Sequence, residues 1–116
     1  MTVRRIVANI ATTEPARAQA FYGNILDMPV VMDHGWIVTH AASGEATAQV
    51  SFATEGGSGT AVPDLSIEVD NFEEVHARLI NAGLPIEYGP ATEGWGVRRL
   101  FVRDPFGKLV NILSHL

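Results

Sequence analysis

The sequence predicts an α+β fold built from two βαβββ modules that pair into one curved mixed sheet with a cleft. Two observations predict it. The order of elements on either side of residues 55–61 is the same, strand, helix and then three strands. The helix exits also echo each other: "DMPVVM" (27–32) and "GLPIEY" (83–88) each place Pro after an apolar residue and before a β-branched one.

The first module opens with "VRRIVANI" (3–10), short and rich in β-branched residues, as a strand. A helix follows, with Thr12 or Thr13 as cap and Pro15 in the first turn, where its missing N–H costs nothing. Ala18, Phe21, Tyr22, Ile25 and Leu26 recur at the spacing of one buried helical face, and Met28-Pro29 ends the segment. Three strands come next, "PVVMD" (29–33), "WIVTH" (36–40) and "TAQVSFA" (47–53), separated by turn residues. "TEGGSGTA" (54–61) has the composition of a flexible connection.

The second module repeats the pattern. "PDLSIEVD" (63–70) is a strand; Asp70 or Asn71 caps a helix with Glu73 and Glu74 in its first turn, Val75 and Leu79 on its buried face, and Gly83 at its C′ position. "PIEYGP" (85–90), "GVRRLFVRD" (96–104) and "KLVNILSH" (108–115) supply three more strands. Asp104-Pro105-Phe106-Gly107 forms the turn before the last. One domain therefore spans 1–116, with modules at about 1–54 and 62–116 and a connection at about 55–61. Neither module covers its own sheet, so the two must pack together or with another chain.

Composition narrows the chemistry. With 116 residues and 47% hydrophobic content the chain has enough apolar mass for a core. The absence of cysteine excludes disulfides, thiolate metal sites and cysteine nucleophiles. A net charge of −5, with basic residues scattered, excludes the basic patch that a nucleic-acid partner needs. No apolar run suits a signal peptide or a bilayer span, and a cytoplasmic protein is expected. No nucleophile elbow, phosphate loop or dinucleotide fingerprint is present, and His34, His40, His76 and His115 are scattered without ligand spacing.

The aromatic pair Phe21-Tyr22 in "AFYGNILDMPV" and the Asp-Pro-x-Gly turn in "RDPFGKLVNIL", together with the repeat, resemble the vicinal oxygen chelate superfamily, the glyoxalase/bleomycin-resistance/dioxygenase fold. The resemblance covers essentially the whole chain. It implies a small-molecule cleft and a homodimer. In metalloenzymes of that family four cavity-facing positions carry His or Glu; by the same motifs they fall on Val7, Gln49, Asp64 and Asn111. Val7 has no donor atom, and one carboxylate with two neutral amides compensates a buried divalent cation poorly, so no metal and no cofactor is expected.

By alternation, the cavity-facing set takes in Arg5, Asn9, Gln49, Ser51, Asp64, Ser66, Glu68 and Asn111, polar for an enclosed surface. These residues either bond one another or orient a ligand. Trp36, Tyr88, Trp95 and Phe101 supply apolar walls, and Arg98 or Arg99 points inward to meet a carboxylate or phosphate. The expected ligand contacts are Asn9, Trp36, Gln49, Asp64, Tyr88, Trp95, Arg99 and Asn111, with no catalytic residue assigned. The leading expectation is a protein that binds a small organic molecule without metal, of a sequestering, resistance type. The rivals are a lyase, isomerase or dioxygenase using a degraded metal site or groups such as Asp64 and His34, and a structural protein with a closed cleft.

Overall fold

The computed structural model describes residues 8, 10–41 and 53–116; most of the predicted strand 3–10 and most of "TAQVSFA", with Asn9 and Gln49, lie outside the described residues. The chain is α+β. A 3-10 helix, Pro15–Ala20, precedes the hairpin β1 (Val30–Asp33) and β2 (Val38–His40). Then come β3 (Leu65–Glu68), α1 (Phe72–Asn81), β4 (Ile86–Glu93), β5 (Val97–Arg103) and β6 (Leu109–His115), the strand-helix-three-strand order expected of the second module. The last four strands form a mixed sheet in the order β3-β6-β5-β4, with β3 parallel to β6 and the other pairs antiparallel.

Alternation along these strands sorts the side chains onto two faces. Leu100 and Val102 of β5 and Val110 and Ile112 of β6 point to one face, all fully buried, where they meet Phe72, Val75 and Leu79 of α1 together with Phe21, Tyr22 and Ile25. Burying such side chains, at about 25 cal/mol per Å2 of apolar surface, is the main force holding helix to sheet. Helix α1 begins at the expected place, with Asn71 at the N-cap position, but the Asn71 side chain makes no capping bond and its amide donates instead to Glu74 Oε2 at 3.2 Å; Glu73 and Glu74 stand in the first turn, and Gly83 adopts φ +73° just past the C-cap Ala82.

The first helical segment is wound differently from the α-helix its periodicity suggested. Arg17 N and Phe21 N reach back three residues, Tyr22 N and Ile25 N four, and Asn24 N and Leu26 N five. No residue of Pro15–Ala20 is buried, whereas Phe21, Tyr22 and Ile25 just beyond it are. The apolar spacing identified the inward residues correctly, because burial depends on direction. It carries no information on which carbonyl each N–H selects.

The Asp104 turn joins the two halves of the described chain. Its Oδ1 accepts from Phe106 N and Lys108 N, both at 2.8 Å, and Gly107 takes φ +78°. Its Oδ2 accepts a 2.7 Å bond from the Tyr22 hydroxyl, 82 residues away. The Phe21-Tyr22 pair and the Asp-Pro-x-Gly turn are thus in physical contact through this bond.

Candidate functional site

The face of the sheet opposite α1 carries the candidate site. Register places Ser66 beside Asn111, Asn111 beside Phe101 and Phe101 beside Tyr88, one row crossing β3, β6, β5 and β4 in turn. The row runs from a hydroxyl through an amide to two aromatic rings, whose centres lie 5.2 Å apart. Asn111 is buried; its Nδ2 donates to Ser66 Oγ at 3.1 Å, and its Oδ1 has no hydrogen-bond partner among the described residues. A buried amide oxygen left unpaired costs roughly 1 to 3 kcal/mol, which a ligand donor or a water would recover.

Arg99 occupies the next position on the same face and is enclosed. Its Cζ lies 5.3, 5.0 and 4.9 Å from the ring centres of Tyr88, Trp95 and Phe101. Nη1 and Nη2 donate to the carbonyls of Gly56 and Gly57 at 2.7 and 3.2 Å, and Nε lies 3.5 Å from Glu93. Glu93, also buried, accepts hydrogen bonds from the hydroxyls of Ser58 and Tyr88. Those two hydroxyls, in that order, and then Arg99 hold the Glu93 carboxyl below its ordinary range against the opposing effect of burial. Its contribution to stability is therefore present above the ordinary carboxylate range and lost as pH falls through the lowered value.

The Gly-rich stretch, flexible by composition, is a folded turn on this cluster. Gly56 N donates to Thr60 O and Thr60 N to Gly57 O, while a Cβ on Gly57 would come within 2.8 Å of Trp95. Glycine here permits close approach of the backbone to the indole and guanidinium.

The expected ligand residues divide accordingly. Tyr88, Trp95, Arg99 and Asn111 come together on this face, and Asp64 belongs to its β3 side. Asp64 Oδ2 accepts from Leu109 N at 2.8 Å, while its own N donates to Leu109 O, so the carboxylate fastens β3 to β6. Trp36 stands 78% exposed in the loop that joins β1 to β2, outside this sheet. Of the two arginines, Arg99 faces this side; Arg98 points to the helix side, 5.4 Å from the Phe72 ring and 2.7 Å from Glu73. Arg99 meets carbonyls and Glu93, where an anionic ligand group had been expected. Glu93 and Ser58 were not anticipated, since nothing in the local pattern links positions 35 residues apart.

The four positions that the resemblance assigns to metal ligands carry few ionic donors in this sequence. Val7 offers none, Gln49 and Asn111 offer neutral amides, and one oxygen of Asp64 is already engaged by the backbone. Among the described residues no group of three His, Asp or Glu side chains is placed to hold a metal. Two surface hollows, of about 340 and 310 Å3, are lined by other residues: Phe72, Glu73 and Arg98 in the first, Phe21, Leu84 and Arg103 in the second.

Comparison with known proteins places this geometry. Residues 4–112 match the model of the Glyoxalase/Bleomycin resistance protein/Dioxygenase superfamily. The chain belongs to that superfamily. A member of it from Sphaerobacter thermophilus has a solved structure similar to this one, with TM-score 0.70 and 22% identity over 98% of both chains. TioX from Micromonospora sp. ML1 gives 0.68 and 19% over 97% of this chain and 96% of its own. TnmS3 from Streptomyces sp. CB03234, described as an antibiotic binding protein, gives 0.67 and 19% over 92% and 91%. At these identities the likeness is one of fold. No curated protein matches the chain.

Proposed function

We propose that this superfamily member binds a small organic molecule on the Ser66-Asn111-Phe101-Tyr88 face without a metal ion, holding it rather than transforming it. The observation that carries the proposal is the buried Asn111 amide, whose Oδ1 has no hydrogen-bond partner among the described residues and which lies in register beside Phe101, itself beside Tyr88. An acceptor left open next to apolar walls is the pattern of a site that fixes a ligand's orientation. The poor match of Val7, Gln49, Asp64 and Asn111 to an ion supports the metal-free part. The fold-level likeness to TnmS3 supports the sequestering part.

The further parts of this reading are one domain with modules at about 1–54 and 62–116, a homodimer, and a cytoplasmic setting. No helix among the described residues is long and apolar enough to cross a membrane. Val30, Val31 and Met32 are exposed on β1, an apolar strip that a second copy would cover. Asn9 and Gln49 complete the proposed ligand set.

A thermal-shift screen of antibiotics and metabolites tests the proposal. A ligand at a hundred times its Kd stabilises by about 2.7 kcal/mol, a shift of several degrees. Asn111→Ala should fold and lose at least tenfold in affinity for any hit. Full binding by this variant would refute the assignment, and stoichiometric metal in protein purified without chelator would refute its metal-free part.

A further inference from the structure

The hollow of about 310 Å3 lies on the helix side of the sheet, the side away from Asn111, where the first helical segment, the exit of α1 and the Asp104 turn converge. Its floor is apolar: Phe21 and Ile25 are buried beneath it, and Leu84 is half-buried beside them. Two guanidinium groups, those of Arg17 and Arg103, line it as well. The Asp104 turn holds both. Arg17 Cζ stands 5.9 Å from the centre of the Phe106 ring, and Arg103 Nη1 donates to the Gly107 carbonyl at 3.0 Å. Phe106 and Gly107 are consecutive, so both cations are anchored to one short stretch before any ligand arrives, which lowers the entropic cost of using the two together.

The acids nearby leave these cations available. Asp104, in the wall, is buried, and its carboxylate is shared among three donors, Phe106 N, Lys108 N and the Tyr22 hydroxyl. Glu14 and Glu87 pair with Arg17 and Arg103 at 3.4 and 2.9 Å from outside the hollow; every side chain of the two pairs is at least 42% exposed, where ion pairs contribute little. Among the described residues, Arg17 Nε and Nη2 and Arg103 Nη2 make no hydrogen bond.

We propose that this hollow binds a small apolar monocarboxylate, with its hydrocarbon part on Phe21, Ile25 and Leu84 and its head between Arg17 and Arg103. A carboxylate takes charge-assisted bonds from guanidinium donors, which a neutral amide of the same shape cannot match and an ammonium group opposes. The volume stands at the lower end of small-ligand pockets, about 300 to 1,000 Å3, and suits a single ring or a short chain. The whole chain carries −5, so its long-range field gives an anion no help and the preference is set by the two arginines at contact.

Three probes of one shape test this: cyclohexanecarboxylate, cyclohexanecarboxamide and cyclohexylmethylammonium, titrated at neutral pH into protein labelled with 13C at its methyl groups and with 15N. The Ile25 and Leu84 methyl signals report on the hollow and the Asn111 side-chain amide on the other face; Ile25→Val, Leu84→Val and Asn111→Ala assign them. The carboxylate should move both methyl signals saturably, leave the Asn111 amide in place, and bind about fivefold more tightly than the carboxamide, with the ammonium weakest. Arg17→Gln combined with Arg103→Gln should erase that preference, weakening the carboxylate by about fivefold or more and the carboxamide by less than about twofold. Should the double variant fail to fold, Arg17→Gln alone decides, with a loss of about threefold expected from this exposed residue.

Equal affinity for carboxylate and carboxamide, or a carboxylate affinity unaltered by the arginine changes, would overturn the assignment of the ligand class. Still methyl signals up to the solubility limit of the carboxylate would overturn the hollow as a site. A carboxylate that moves the Asn111 amide and neither methyl would overturn this inference while sparing the ligand-binding reading of the other face.

Discussion

Replacing Asp104 with alanine is expected to lower the midpoint of thermal unfolding by about 12 °C, the equivalent of about 3 kcal/mol for a domain of this length. Asp104 is 5% exposed and accepts three hydrogen bonds, from Phe106 N, Lys108 N and the Tyr22 hydroxyl. Water can reach the turn amides once the carboxylate is gone. The phenol cannot be rescued in that way and stays unpaired in the core. Asp104→Asn, which keeps an acceptor for the turn, should lose about half as much. A loss under 1 °C in the alanine variant would show that the tether is not a stabilising contact.

The same bond sets an alkaline limit. Burial first, then the hydrogen bond to Asp104 and the charges of Asp104 and Asp64, push the Tyr22 hydroxyl far above its ordinary value of 10. In the unfolded chain it ionises near that value, so the unfolded state holds fewer protons there than the folded one. Stability from this group is complete below pH 10 and declines as pH rises above it. Urea unfolding between pH 8 and pH 11 should show that decline in the wild type and a reduced one in Tyr22→Phe.

Gly89→Ala is expected to cost about 3 kcal/mol or more, through two causes that add. The residue has φ +82°, which disfavours any side chain, and a Cβ there would meet Arg99 O at 2.5 Å and Ala91 N at 2.9 Å. Both obstacles are backbone and cannot rotate away. Relief requires β4 to move from β5 where the register shifts between Tyr88 and Ala91, disturbing Tyr88 and its bond to Glu93. Gly94→Ala is the matched control, since a Cβ there meets nothing within 4 Å and its φ is ordinary; it should unfold within about 0.5 kcal/mol of wild type. Equal urea midpoints for the two variants would sink the argument.

Much of the second half was visible in the sequence. Period-two alternation from 97 to 103 and 109 to 115 fixes which residues share a face. Which of Arg98 and Arg99 turns away from α1 stayed open in the sequence; the burial of Leu100 and Val102, whose parity Arg98 shares, decides it. Asn111 was visible by alternation, as a polar residue on the face of Leu109 and Leu113. What alternation cannot supply is pairing at a distance. Ser58, Glu93 and Arg99 meet through a turn whose glycines look like slack chain, and the backbone carbonyls that hold Arg99 leave no trace in composition. Asp64 was read for its charge, while its place one residue before the parallel β3–β6 pairing gave it a backbone amide to hold.

The parallel pairing of Leu65 with Val110, and the reach of Tyr22 to Asp104, have a kinetic meaning. Antiparallel β5 and β6 close across a short turn and can zip early, whereas β3 must find its neighbour over a loop of some forty residues and Tyr22 over twice that. Contacts this distant in sequence carry the larger loop-closure cost, so they are expected to form after the β5–β6 hairpin and to slow folding. Until Tyr22 arrives, one flank of the apolar layer beneath that hairpin stands open to misassociation.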